Sequence, residues 1–272
     1  MAIYAMSDIH GMYGSFMRRI RQLNNLESFK FGEDMLVLLG DYVDVGLNSF
    51  KVVKTIYELQ RDIGKNMVVL MGNHDKWFID FIEGRNPEWI SGDRAWLTLE
   101  GFMPDKDISA LKEMLLRSKP GEEMLVKTSD YCRESIMSEN GDIIRWMKKL
   151  PLYFETDMQI FVHAGIDEEA NDLWAIGTSD EMFLEKYPAK KGHFYKDIVA
   201  GHVSVSSIKK DYDFHDIYWD GKSHYYIDGI DSYERSVSDD DRTIPVLVYK
   251  DSAEEKGYYS LLEDGSLRLI RT

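Results

Sequence analysis

The sequence predicts an α/β fold organised around a parallel sheet. Three observations predict it. Short apolar runs alternate with amphipathic stretches over the first eighty residues, each run passes directly into glycine and polar residues, and apolar runs return after residue 159.

Ala2 to Met6 reads as a buried strand. Tyr13, Phe16, Met17, Ile20 and Leu23 then recur at helical spacing, with Arg18, Arg19, Arg21 and Gln22 on the other face, which predicts a helix from Tyr13 to about Leu26. Met35 to Leu39 is a second strand. Asn48 or Ser49 is placed to cap a helix whose inner face carries Phe50, Val53, Ile56 and Tyr57, and Met67 to Met71 is a third strand, completing βαβαβ. From Lys76 to about Leu150 helix signals take over. Asp107 precedes the stripe Ile108, Leu111, Leu115 as its cap, and Asp142 precedes Ile143, Ile144, Trp146 and Met147; Pro151 closes that helix because the residue before proline disfavours helical backbone. Strands resume at Gln159 to Val162, Asp197 to Ala200, His224 to Asp228 and Pro245 to Lys250. A closing pair, Tyr258 to Leu262 and Leu267 to Ile270, flanks Asp264-Gly265. The expectation is a single domain over 1–272 with a helical insert at about 76–150. Residues 231 to 242, with Asp239-Asp240-Asp241, read as an exposed acidic loop.

The chain has 272 residues and a formal charge of −15, which argues against a partner such as a nucleic-acid duplex gripped by a basic face. With 44% hydrophobic and 30% charged residues, it carries enough apolar side chains to build a core. Cys132 is the only cysteine, which excludes an intrachain disulfide and a cysteine-based zinc cluster, and fits a reducing compartment. No run approaches the roughly 18 apolar residues of a membrane span, and the N-terminal run stops at Asp8 without the basic start of a secretion signal. The expected location is the cytoplasm, with a mature chain beginning where the sequence does.

Five motifs stand directly after predicted strands: Asp8-Ile9-His10-Gly11, Gly40-Asp41-Tyr42-Val43-Asp44, Gly72-Asn73-His74-Asp75, His163-Ala164-Gly165 and Gly201-His202. The carboxyl ends of parallel strands are where α/β sheets place ligands. If the first strand continues that far, Asp8 and His10 point to the same face and reach one ion. Singly, each motif reads equally well as a turn, a helix cap (Asp75 among them) or a satisfied strand-end histidine; their conjunction is what predicts a shared metal site. Asp, His and Asn are donors of intermediate hardness, suited to Mn, Fe or Zn rather than to Ca or Mg alone, with Mn preferred. Their number suggests two divalent ions. Asp8, His10 and Asp41 would hold one, and Asp41, Asn73, His163 and His202 the other, with Asp41 bridging. Two cations roughly 3.5–4 Å apart activate water and orient a phosphoryl group for in-line displacement. The leaving oxygen needs a proton donor; His74 is placed for that role, with Asp44 as the carboxylate that keeps it protonated.

These motifs resemble those of the calcineurin-like metallophosphoesterase superfamily: D-x-H, G-D-x-x-D, G-N-H-[DE], a later H, and G-H. The pattern is most similar to the bacterial and phage branch of phosphoprotein phosphatases, which also includes symmetrical diadenosine tetraphosphate hydrolases. Leu150-Pro151-Leu152, Val162 to Ile166, Ala200 to Val203 and Tyr226 to Gly229 carry the branch-level likeness, so the motifs span residues 7 to 229. The resemblance implies a four-layer αββα sandwich of two mixed sheets, a dinuclear site with the ligands above, and His74 as general acid oriented by Asp44. Two departures stand out. The branch continues G-D-x-V-D-R-G with a phosphate-gripping arginine, where this chain has Val45-Gly46; a second arginine expected after the tryptophan is replaced by Ala175 after Trp174. Lys76 and Asn48 are candidate substrate-binding replacements, each against an ordinary surface or capping role, and Arg94 is a further one.

Trp77, Trp89, Trp96, Phe102 and Trp146 are read as the insert's own core in preference to a nucleobase platform. The acidic run, His193, His215, His224 and Cys132 receive no functional role. The leading functional expectation is a serine/threonine-protein-phosphatase-like phosphomonoesterase acting on a phosphoprotein. A symmetrical dinucleoside tetraphosphate hydrolase acting on a nucleotide polyphosphate is the alternative, and a non-catalytic metal-binding interaction protein the alternative of another class.

Overall fold

The computed structural model describes residues 1–26, 29–30, 32–117, 119, 121–230, 242–253 and 255–272. The acidic run Asp239 to Asp241 lies outside them.

β1 (Ala2–Met6), α1 (Tyr13–Asn25), β2 (Met35–Leu38), α2 (Ser49–Ile63) and β3 (Met67–Val69) form the expected βαβαβ unit. Helices alone follow among the described residues until residue 152: α3 (Asn73–Ile82), α4 (Asp93–Phe102), α5 (Asp105–Arg117), α6 (Glu122–Met147) and a 3-10 turn at Pro87–Ser91. The remainder comprises β4 (Tyr153–Glu155), β5 (Gln159–Val162), α7 (Trp174–Gly177), α8 (Asp180–Glu185), β6 (Asp197–Ala200), α9 (Val205–Lys209), β7 (Tyr218–Trp219), β8 (His224–Tyr226), β9 (Leu247–Lys250), β10 (Gly257–Leu261) and β11 (Leu267–Arg271).

The strands build two mixed sheets, ordered β11-β10-β9-β1-β2-β3 and β4-β5-β6-β8-β7. Both centres are parallel, β1 with β2 and β2 with β3, β5 with β6 and β6 with β8; antiparallel β11, β4 and β7 close three of the edges and parallel β3 forms the fourth. Strand alternation assembles the layers. On β1, Ile3 and Ala5 face the second sheet and meet Phe161, Val199, Tyr225 and Ile227. Tyr4 and Met6 face the other way, against Phe16, Ile20, Val52, Val53 and Ile56 of α1 and α2. Beyond the second sheet, Ile160, Val162, Ile198 and Tyr226 pack against Trp174, Phe183 and Val205. The result is helices, sheet, sheet, helices.

Several local expectations are corrected. β2 and β3 stop at Leu38 and Val69 and β8 at Tyr226; Leu39, Leu70 and Ile227 each make one last backbone hydrogen bond to the neighbouring strand before the chain turns into the site. Asp107 does not cap its helix: α5 begins at Asp105, and the Asp107 carboxylate accepts hydrogen bonds from Tyr131 Oη (3.3 Å) and Ser135 Oγ (2.6 Å) of α6. Asp142 lies inside α6, whose helical backbone breaks at Asn140 (φ −127°, ψ 21°), where the amide donates to Phe102 O at 2.7 Å. Asn48 holds the cap position of α2 without a side-chain cap bond.

Candidate active site

The motifs at the ends of β1, β2, β3, β5 and β6 converge where the two sheets face each other. β1 ends at Met6, so strand alternation does not align Asp8 and His10; left-handed backbone does. Eight non-glycine residues among those described have positive φ, and five are Asp8 (54°), His10 (47°), Asp41 (58°), Asp44 (65°) and His202 (64°). Such backbone is disfavoured for L-residues and persists where surrounding contacts over-determine it. Here the turns lock one another, with Asp8 N donating to Gly40 O, His10 N to Asp41 O and Gly46 N to His10 O. Gly201 approaches so closely that an added Cβ would sit inside contact distance of Asp8 Oδ2 and Ser7 Oγ.

Asn73 and His74 open α3. Asp75, expected as a possible cap, instead occupies the third helical position and reaches back: its buried carboxylate accepts from Gly72 N (3.0 Å), Asp41 N (2.8 Å) and Tyr42 N (3.0 Å). It thereby ties the β2 and β3 turns together.

All six expected ligands meet. His10 Nε2 lies 3.4 Å from Asp41 Oδ2 and His163 Nε2 3.5 Å from Asp41 Oδ1. Asn73 Oδ1 is 2.9 Å from His163 Nε2 and 3.1 Å from His202 Nδ1. His202 N donates to both Asp8 carboxylate oxygens, at 3.1 and 3.3 Å. Ligand atoms of Asp8, Asp41 and His163 lie within 4.8 Å of one another, as do those of His10, Asp41 and His74.

The donor chemistry fits divalent cations. A neutral imidazole has one N–H. His163 presents Nδ1 to Leu39 O at 3.0 Å and Nε2 to Asn73 Oδ1, and His10 presents Nδ1 to Val43 O at 2.9 Å and Nε2 to Asp41. Both partners of each ring are acceptors, and burial pushes the pKa of each well below the usual histidine range, against a second proton. His202 is lowered to about 4, by burial and then by the charge of His74. A cation on the inward nitrogen relieves the conflict. The carboxylates ask for the same: burial raises Asp8 to about 6 and Asp41 well above the carboxylate range, the charges of Asp8 and Asp75 adding to the effect at Asp41.

His74 is built differently. Its Nδ1 contacts Asp44 Oδ2 at 2.8 Å, leaving Nε2 for the site. Its ring packs edge-on to His10, with centroids 4.9 Å apart, and against Trp77 at 4.6 Å.

Residues 1–230 match the Calcineurin-like phosphoesterase family. The chain belongs to that family. A symmetrical bis(5'-nucleosyl)-tetraphosphatase of Nitrosococcus oceani is 25% identical over 202 residues, covering 74% of this chain and 55% of the relative, so the chain spans about half the relative's length. One of Nitrosospira multiformis is 33% identical over 119 residues, 44% of this chain and 38% of that one. Among solved structures, a cold-active protein-tyrosine phosphatase of a psychrophilic Shewanella aligns with TM-score 0.56 and 16% identity over 98% of this chain and 80% of its own. A protein serine/threonine phosphatase from Saccharomyces cerevisiae aligns with TM-score 0.53 and 13% identity over 99% and 79%. These two likenesses establish the metallophosphoesterase fold.

Lys76 is not brought into the cluster, since its Nζ pairs with Asp80 Oδ2 at 2.5 Å, one turn along α3. Where this family member departs from the branch pattern, Val45 stands in left-handed backbone (φ 66°) and Trp174 is buried in the outer core. The positive charges of Arg94 and Arg242 act on His10 and help to lower it. Trp89, Trp96, Phe102 and Trp146 pack with the helical core as expected. Trp77 departs from that reading: it lies against His74 and donates its indole N–H to Glu185 at 3.0 Å. Cys132 is buried, and burial pushes its thiol up to about 12, in keeping with an inert role. One residue escaped the sequence reading altogether. Thr98 of α4 hydrogen-bonds Asp44, and its only local signal is a hydroxyl on the buried Ala95, Leu99, Phe102 face.

Proposed function

We propose that this chain is a phosphoric ester hydrolase dependent on two divalent cations. The observation that carries the reading is the His74–Asp44 pair at 2.8 Å, set beside six converging ligands. Asp8, His10 and Asp41 would hold one ion, and Asp41, Asn73, His163 and His202 the other. Mn is the proposed occupant, with Fe or Zn next on donor type. When bound, the pair supplies positive charge and an activated water for in-line attack at phosphorus. The chain's own residues do the rest. Asp44 accepts a hydrogen bond from His74 Nδ1–H and fixes the ring, so Nε2–H is presented to the leaving oxygen and the alkoxide departs protonated. Asp75 holds the two turns in register.

A phosphomonoester, of the kind a phosphoprotein presents, is the proposed substrate. The second reading, a dinucleoside tetraphosphate, is favoured by the activity named for the Nitrosococcus and Nitrosospira relatives. A non-catalytic metal-binding role leaves the His74–Asp44 pair without a purpose. The lone buried thiol supports a cytoplasmic setting. Among the described residues no helix is long and apolar enough to cross a membrane.

The test is hydrolysis of an aryl phosphate by metal-stripped protein with and without Mn, beside Asp41→Asn and His74→Asn. Release of nucleoside diphosphate from diadenosine tetraphosphate, against phosphate from a phosphopeptide, separates the substrate readings. Protein that binds two ions yet turns over none of these refutes the hydrolase.

A further inference from the structure

We propose that Thr98, in the helical insert, is a positioning residue for the general acid, holding Asp44 so that Asp44 can hold His74. The inference rests on the reading of His74 as the proton donor.

Thr98 sits in mid α4, 54 residues from Asp44, and is completely buried. A threonine inside a helix ordinarily turns its hydroxyl to solvent or back to the carbonyl one turn earlier. This one points out of its helix into the turn after β2. Its Oγ1 donates to Asp44 Oδ1 at 2.7 Å, accepts from Asp44 N at 3.0 Å and lies 3.3 Å from Ser49 Oγ. A hydroxyl has one hydrogen and two acceptor sites. With the hydrogen given to Oδ1, both Asp44 N–H and Ser49 O–H must donate, and the capacity is filled.

Asp44 is a residue that needs holding. It has φ 65° and is followed by Val45 at φ 66°, a β-branched residue in backbone that glycine would favour. Thr98 engages the amide and one carboxylate oxygen of the same residue, and so fixes backbone and side chain together. The other oxygen is then directed at His74 Nδ1, 2.8 Å away. Ser49, the buried first residue of α2, secures the hydroxyl in turn. The helical insert thereby takes part in the acid pair as well as covering α2 and α3.

The experiment uses Thr98→Val, which keeps shape and removes the hydroxyl, Thr98→Ser, which keeps the hydroxyl, and Ser49→Ala. Each is assayed with Mn on phosphate monoesters running from p-nitrophenyl, whose leaving group departs without a proton, to simple alkyl, whose leaving group requires one. Thr98→Val is expected to lose about tenfold to hundredfold more kcat on the alkyl ester than on the p-nitrophenyl ester, part of the roughly 10²–10⁴-fold that general acid catalysis contributes. Thr98→Ser restores the wild-type dependence, and Ser49→Ala shows the same leaving-group bias at several-fold strength. Equal losses along the series, or Thr98→Ser failing as badly as Thr98→Val, overturn the proposal.

A second readout needs no turnover. In metal-free protein the His74 Nδ1–H should give a downfield, exchange-protected proton resonance that disappears in Thr98→Val while the far-UV circular dichroism persists; an unaltered resonance overturns the proposal. Wild-type protein inactive on every ester refutes the hydrolase reading alone, and the resonance still judges Thr98. Should Thr98→Val not fold, Ser49→Ala and Thr98→Ser decide.

Discussion

Gly201→Ala tests how tightly the two sheets are fitted at the site. Gly201 follows β6, and an added Cβ would lie 2.8 Å from Ser7 Cβ and closer still to Ser7 Oγ and Asp8 Oδ2, where ordinary contact begins at 3.4 Å. At least 3.4 − 2.8 = 0.6 Å of movement is needed at the carbon, and more at the oxygens. Alanine meets no backbone penalty here, so the cost is overpacking. Ser7 can rotate its hydroxyl away, which holds the stability loss to about 1–2 kcal/mol, or about 2–8 °C in Tm at the 2–4 °C per kcal/mol typical of larger domains. Asp8 has no such freedom. Its carboxylate is held by His202 N, and any rotation away from Cβ takes it out of the donor cluster. Metal affinity should therefore fall by about 10–100-fold, as it does when a ligand loses its support. Calorimetric titration of Mn into metal-free protein, with thermal melts alongside, measures both. Gly92→Ala is the control for packing, because its Cβ meets Trp89 O at an ordinary 3.4 Å and its φ is −77°; about 0.5–1 kcal/mol is expected there, since Gly92 caps α4 and alanine is a poorer cap, with metal affinity unchanged. Wild-type melting and metal affinity in Gly201→Ala would refute the reasoning.

Four other outcomes are expected. Mn at a hundred times its Kd should stabilise wild type by about 2.7 kcal/mol per site, and Asp41→Asn should remove most of that shift in thermal melts, since Asp41 lies beside both histidine sets. Arg94→Ala removes a positive charge that helps to hold the His10 pKa down and should raise that pKa, so the His10 ring titration followed by NMR in metal-free protein should move to higher pH. Tyr42→Phe removes a buried hydroxyl lying 2.8 Å from Leu70 O and 3.1 Å from Leu38 O and should cost about 1–2 kcal/mol in urea unfolding. His224 is buried; burial lowers its pKa, but the hydrogen bond and charge of Glu168 and the charge of Asp220 outweigh that and raise it above 6.5. A raised histidine stabilises fully below 6.5 and loses that contribution as pH climbs through its folded value. Wild type should thus lose stability relative to His224→Gln over that rise, and parallel stability–pH curves would contradict the assignment.

What the sequence made legible follows from burial. β1, β5 and β6 lie in both sheets' centres, covered on two faces, and so read as continuous apolar runs with correct bounds. β4 and β7 are short edge strands with half-buried side chains, and their few residues carry no period. α7, α8 and α9 are too brief to show one. α6 hides behind polar residues and the break at Asn140, so only its last turns were readable. At the site, six donors and the His74–Asp44 pair were readable because each stands directly after a strand or in the turn that follows it. Thr98 was not, since its contact with Asp44 is created by the packing of α4 on α2. The left-handed turns were also hidden: Asp8 and His10 share a target through two unusual backbone conformations, where pleat alternation had been the expected device.

The two sheets divide the donors between them. Asp8, His10, Asp41 and Asn73 follow strands of one sheet, while His163 and His202 follow strands of the other. Elsewhere the sheets meet mainly through interdigitated aliphatic and aromatic side chains, with Tyr258 Oη donating to Asp197 Oδ2 at 2.8 Å and accepting from Gln159 Nε2 at 2.9 Å. A cation gripped from both sides would act as a rivet through the sandwich, converting two faces that can shear into one body whose unfolding must begin by breaking coordination.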